Sequence, residues 1–222
     1  MTPPPDAYLE PHLDRAALIT IDVQCDTLDG QPVEIPGTSA ALPAIVATTE
    51  MFRAAGRPIV HMVRLYRRDG SNVDLCRRAS VESGRSLFLA GSSGAEPAPG
   101  LLPDPSTRLD PELLLRGDPQ PVGGDEFVFY KPRWGAFFQT SLEVHLRRRA
   151  VDTLVVCGCN FPNCPRTSIY EASERDYRVV VVGDALSGLG AQGVDELDGI
   201  GVSVVALAEL RAGLAATPAT PA

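Results

Sequence analysis

Residues 152–184 read DTLVVCGCNFPNCPRTSIYEASERDYRVVVVGD. The stretch opens on a short apolar run, DTLVVCG (152–158), and closes on another, RVVVVGD (178–184). Between them a helix is predicted from about Asn163 to Asp176. Pro162 and Pro165 bracket its start, where a missing backbone N–H is tolerated. Strands of nearly continuous Val, Ile and Leu that alternate with helices indicate a parallel sheet covered on both faces.

The same alternation extends in both directions. Upstream, AALITID (16–22) reads as a buried strand ending in an acid. A helix is predicted over 41–55, with Pro43 near its first turn and Gly56 just past its end. RPIVHMV (57–63) is a strand, and a short helix is expected from Asn72 to about Ser80. EFVFY (126–130) is another strand. Thr140 with Glu143 three residues on forms a capping box that opens a helix through Arg149. Downstream follow a short helix over about 192–199, the strand GVSVVAL (201–207) and a last short helix. Residues 83–125 are rich in Gly, Pro and Ser, with one helical candidate near Pro111–Leu115. Alternation resumes unchanged after them, so they read as a functional loop or interface element rather than a linker. The expected fold class is α/β: a three-layer α/β/α, Rossmann-like, mainly parallel sheet of about six strands. It forms a single domain over 1–222 with flexible tails at 1–13 and 214–222.

Composition narrows the function. The chain has 222 residues, 44% of them hydrophobic, which suits one globular domain. No apolar run approaches the ~18–20 residues of a membrane span, and MTPPPDAYLEPHLDR lacks the charge-then-apolar order of a secretion signal. A net charge of −8 argues against a nucleic-acid partner. Five cysteines, three of them within 157–164, make a poor disulfide framework, so a reducing cytoplasmic location is expected. Lysine usage is unusual: nineteen arginines accompany one lysine, Lys131. Lysine can shift its pKa when buried and arginine cannot.

In open parallel sheets ligands bind beyond the carboxyl ends of the strands. Three such ends carry reactive groups: Asp22, followed by Val23 and Gln24; Lys131 after Tyr130; and, after Gly158, the run CNFPNC to Cys164. They meet above the sheet if the strands 16–22, 126–130 and 152–158 are neighbours. Cys164 opens a helix, where the dipole and free N–H groups are expected to depress a thiol pKa and to hold an oxyanion. A carboxylate, an ammonium and a thiol together form a proton-transfer set around a nucleophile.

Three ordered segments resemble the isochorismatase-like cysteine hydrolases: AALITIDVQCDT with its acid-x-Gln signature, YKPRWGAFFQTSLEVHLRRRAVDTLVVCG, and GCNFPNCPRTSIYEASERDYRVVVVGDALSG. The resemblance covers most of residues 14–210. It implies the isochorismatase-like hydrolase fold, with Asp22 as general base, Lys131 as its charge partner and Cys164 as nucleophile. It also implies a cis peptide between Cys159 and Asn160, an oxyanion hole from the N–H groups of Asn160 and Cys164, and a homo-oligomer (dimer or tetramer). The activity implied is cleavage of a C–N bond in a small amide, carbamoyl or ureido compound. Vinyl-ether hydrolysis and a non-catalytic binding module are the alternatives.

The sequence departs from the family's usual pattern at Phe161-Pro162, where a Thr-Asp/Asn pair is usual. No metal or cofactor is expected. His12, His61 and His145 are the only histidines; His61 reads as a core residue, and His145 lies on a surface-like helix face. Gln24, Arg64, Tyr66, Trp134, Phe137 and Phe161 are the candidate substrate-binding residues. Phe138 belongs with these aromatics, and Arg67, Arg68 and Arg133 stand with Arg64 as candidate anion-binding cations. The apolar Leu87, Phe88, Leu89, Leu101 and Leu102 suggest that part of 83–125 lies at a subunit contact or over the active site.

Overall fold

The computed structural model describes residues 7–217. Its centre is β1 (Ala16–Ile21), all six residues of which are buried, as a strand packed on both faces requires. Parallel to it on one side runs β2 (Ile59–Val63), then β4 (Glu126–Tyr130); on the other run β5 (Thr153–Gly158), β6 (Arg178–Leu186) and β7 (Ser203–Val205). A seventh strand, β3 (Gln120–Gly123), pairs antiparallel with β4 at the sheet edge, so the order is β3-β4-β2-β1-β5-β6-β7. The sheet therefore has one strand more than the sequence predicted. β3 holds a proline and a glycine and has no apolar run, so it was legible only as loop.

Helices cover both faces. On one, α1 (Thr38–Ala54) and α7 (Leu207–Ala216) bury Ile45, Phe52, Leu210 and Leu214 against Ala16, Leu18, Val155 and Val180. On the other, α4 (Leu142–Arg147), α5 (Cys164–Ser173) and α6 (Ala191–Asp198) pack Leu146, Ile169 and Leu197 against Ile19, Ile21, Val156 and Val181. None of the helices over the described residues is long and apolar enough to cross a membrane.

The segment 83–125 is tied down within its own chain. It carries α3 (Pro111–Leu115), capped by Asp110, and pairs with the end of β1 through Cys25 N to Glu96 O and Ala98 N to Val23 O. Leu87 and Phe88 pack with Tyr66 and Val73, and Leu101 packs under α1. These apolar residues find partners without a second subunit. The expected capping box does not form. Thr140 donates instead to Ala136 O, and α4 begins at Leu142 with Ser141 ahead of it. At the C-terminus α7 continues through Ala216 with Leu214 buried, and His12 is bonded to Asp152 and Thr153 near the other end. Of the predicted tails, residues 1–6 and 218–222 lie outside the described residues.

The chain leaves β1 for β2 on one side and later returns across β1 to β5 on the other. The resulting switch point lies at the carboxyl ends of β1 and β5, where such sheets bind ligands. Gly158 makes the close approach there possible. Its φ is +127°, and a Cβ would lie 2.3 Å from Ile21 O.

Candidate active site

Asp22 follows β1 directly, at φ +53°, a left-handed conformation that Asp tolerates better than most residues. Cys164 is the first residue of α5, six residues beyond the end of β5. Lys131 follows β4. The strands of all three are not consecutive neighbours, as the sequence reading required: β2 lies between β1 and β4. The lysine side chain is long enough to cross that gap. Its Nζ donates to Asp22 Oδ2 at 2.9 Å and to Arg133 O at 3.4 Å. Lys131 is fully buried, and Asp22 and Cys164 are 5% and 3% exposed.

A buried ion pair needs further charge balance to be tolerated. Arg64, the residue after β2, supplies it from the intervening strand. Its Nη1 donates to Asp74 Oδ2 at 2.7 Å, and its Nη2 lies 3.6 Å from Cys164 Sγ. Arg64 is wholly buried and is not one of a surface set with Arg67 and Arg68. Asp74, just ahead of α2 (Leu75–Glu82), also accepts from Tyr66 Oη at 2.5 Å and pairs more loosely with Arg133 and Arg77.

The electrostatics follow from this packing. Burial alone raises the Asp22 carboxyl, but Lys131, Arg64 and the neighbouring Cys164 thiol outweigh it and hold Asp22 below the usual carboxylate value. The Cys164 thiol is pushed up, first by burial and then by the Asp22 charge, against the opposing pull of Lys131 and Arg64. The helix-terminus argument anticipated a depressed thiol, and desolvation beside a carboxylate reverses it. The resting pair is therefore thiol and carboxylate. The Asp22 carboxylate and the Cys164 thiol interact directly, and Asp22 Oδ1 takes no other partner among the described residues.

The Cys159–Asn160 peptide bond is cis. Among the described residues the backbone N–H groups of Asn160 and Cys164 take no hydrogen-bond acceptor, whereas those of Cys159 and Phe161 donate to Ile21 O and Ser187 O. The loop after Lys131 is fixed to α5: Ala136 N donates to Ser168 Oγ and Phe137 N to Glu171.

The other proposed binding residues divide. Gln24 is buried, and its amide is occupied by both backbone groups of Arg64 and by Ala95 O, so it clamps the β1 and β2 ends together. Phe137 is a core residue stacked near Tyr177, and Phe161 is buried against α6, where a Cβ at Gly193 would lie 2.5 Å from its ring. Tyr66 is buried and serves Asp74. Among the candidate aromatics, Trp134 and Phe138 stay exposed. With Asp74, Cys76, Arg133, Thr167 and others they line a depression of about 400 Å³ beside the buried cluster. Asp74 carried no signal in the sequence beyond being an acid at a helix start.

His61 spans two buried partners, Thr20 Oγ1 at 2.8 Å and Glu126 Oε1 at 2.7 Å, and Arg53 pairs with the same carboxylate. His145 is half-buried on its helix face. Its ring packs edge-on against Phe127 and Phe129, and burial beside Arg149 lowers it to about 4. No three His, Cys, Asp or Glu side chains converge as a metal site among the described residues.

An α/β sheet with an acid, an ammonium and a thiol buried at its switch point defines a class of protein. Residues 16–197 match the Isochorismatase domain model, and the chain belongs to the isochorismatase family. It is 30% identical over 174 residues to a probable inactive nicotinamidase of Arabidopsis thaliana, covering 77% of this chain and 80% of that protein. It is 26% identical over 191 residues to an N-carbamoylsarcosine amidase of an Arthrobacter species, covering 83% of this chain and 66% of that one. A solved isochorismatase family protein from Desulfovibrio vulgaris superposes with a TM-score of 0.77 at 34% identity, over 91% of this chain and 99% of the other.

Proposed function

We propose that the chain is a cysteine-dependent hydrolase that cleaves the C–N bond of a small amide, carbamoyl or ureido compound through a thioester-type intermediate. The observation that carries this reading is the Asp22 carboxylate against the Cys164 thiol, with Lys131 fixed on its Oδ2 and no other partner on its Oδ1. The family membership and the similarity to an N-carbamoylsarcosine amidase support the choice of bond.

In this reading Asp22 takes the thiol proton as Cys164 Sγ attacks the carbonyl carbon. The raised thiol and lowered carboxyl mean that the thiolate forms during attack rather than at rest. The free N–H groups of Asn160 and Cys164 are suited to receive the oxyanion. As the C–N bond breaks, Asp22 returns its proton to the leaving nitrogen. Water, deprotonated by Asp22, then attacks the thioester carbon. The C–S bond breaks, the acid product leaves, and the proton on Asp22 returns to sulfur.

The test is ammonia or amine release across a panel of small amides, ureas and carbamates, with Cys164→Ala as control. A covalent adduct on Cys164, trapped by rapid quench and mass spectrometry, is expected with any substrate found. Turnover that survives Cys164→Ala overturns the mechanism. A second reading, a non-catalytic family member, is favoured by the similarity to a probable inactive relative. A complete panel without turnover, together with ligand-induced thermal stabilisation, supports it.

A further inference from the structure

Arg64 occupies the gap between the two strands whose ends carry Asp22 and Lys131. Its nitrogens have different surroundings. Nη1 donates to Asp74 Oδ2 at 2.7 Å and to Pro132 O at 3.3 Å, Nη2 lies 3.6 Å from Cys164 Sγ, and Nε has no partner among the described residues. A guanidinium that served only to pair with Asp74 has no need of a sulfur neighbour, because a neutral thiol is a weak acceptor. A thiolate is a strong one.

The charges point the same way. At rest the two fully buried cations, Lys131 and Arg64, balance Asp22 and Asp74, while the partly exposed Arg77 and Arg133 border Asp74 from outside. Passing the proton from Cys164 Sγ to Asp22 Oδ1 keeps that balance but moves the negative charge from carboxylate to sulfur. Lys131 is then left hydrogen-bonded to a neutral acid. The donor already on the sulfur is Arg64.

We propose that Arg64 is a catalytic residue: its Nη2 donates to the Cys164 thiolate as Asp22 accepts the proton, and Asp74 is the positioning residue that aims it. This rests on the reading of Cys164 as nucleophile. It differs from a role as a substrate anchor, which the same guanidinium would play if it bound a carboxylate or phosphate.

The test uses the full chain carrying Arg64→Gln, Arg64→Lys or Asp74→Asn, each checked for folding by circular dichroism and thermal unfolding. The pH dependence of Cys164 alkylation by iodoacetamide is followed by site-mapped mass spectrometry. A parallel titration of thiolate absorbance covers slow alkylation. Arg64→Gln is expected to raise the Cys164 alkylation pKa by about one unit or more, the scale of one neighbouring charge. It should also lower kcat by at least ~10-fold while KM changes little. Arg64→Lys recovers part of both effects, and Asp74→Asn shifts both in the same direction by less. If Arg64→Gln does not fold, the other two variants carry the comparison. An unchanged thiol titration in folded variants overturns the proposal. So does a rise in KM alone, which marks a substrate anchor. The thiol titration needs no turnover, so its outcome is separate from that of the Cys164→Ala control.

Discussion

Replacing Lys131 by arginine keeps the charge and removes the compact ammonium. The lysine side chain has no solvent-exposed surface, and its Nζ is set between Asp22 Oδ2 at 2.9 Å and Arg133 O at 3.4 Å. A guanidinium adds a planar group with two further nitrogens to a filled space, next to a second guanidinium at Arg64. Overpacking of this kind costs about 1–3 kcal/mol of stability, a fall of about 2–12 °C in Tm for a chain of this size. The larger effect is expected in catalysis. Displacing Asp22 from the thiol removes one positioned proton transfer, worth ~100-fold or more in turnover, or about 2.7 kcal/mol of barrier. Lys131→Met removes the charge altogether and leaves Asp22 buried beside Arg64 alone. Breaking a buried pair in this way costs about 3–5 kcal/mol. The Asp22 carboxyl then moves up, because burial is the largest influence on it and Lys131 the largest opposing one. The assays are ammonia release on the best substrate of the panel, urea unfolding, and the acid limb of kcat/KM, which should shift to higher pH in Lys131→Met. A Lys131→Arg protein with wild-type turnover refutes the argument that a compact ammonium is required.

Iodoacetamide should label exposed Cys76 without loss of turnover and buried Cys164 with complete loss; inactivation that tracks Cys76 instead would remove Cys164 from the chemistry. Stability should fall on acidification in two stages. His61 is held below its ordinary value of 6.5 by burial, so its contribution is full above pH 6.5 and is lost as pH falls below that. Glu126, which burial alone would raise, is held below its ordinary value of 4.5 by its hydrogen bonds to Arg53 and His61, and it adds a second loss below pH 4.5. A urea midpoint that stays flat from pH 7 to pH 3 contradicts both. Turnover should survive exhaustive chelation, since His12, His61 and His145 are each engaged by protein groups; activity restored by a single added metal would refute this. Self-association is expected around Leu75, Trp134 and Phe138, which are exposed about one depression, and a monomer in light scattering at micromolar concentrations would contradict it.

Local pattern carried much of this protein. The apolar runs at 16–21, 153–158 and 178–182 could hardly be anything but buried strands, and the first two led to residues whose chemistry stood out against their surroundings. The single lysine among nineteen arginines marked Lys131, and the acid closing AALITID marked Asp22. Cys164 was marked by its place at a helix start. Those signals are local, since burial of a strand and the start of a helix are written within a few residues.

What depended on distant segments was decided only by the tertiary structure. The order of strands places β2 between β1 and β4, so Lys131 reaches across a strand and Arg64 lies among the charges. Arg64 read as one of four candidate anion-binding arginines, because its burial is possible only through Asp74, ten residues on, and Tyr66 beside it. The direction of the Cys164 shift was reversed for the same reason. A helix terminus is visible in sequence, whereas desolvation and the distance to a carboxylate 142 positions away are not. Gln24 and Phe137 looked like binding residues until their partners appeared and showed them to be part of the frame. Sequence periodicity reports which face of an element is buried, but which groups share that burial, and hence which charge is balanced by which, is a property of the packed chain.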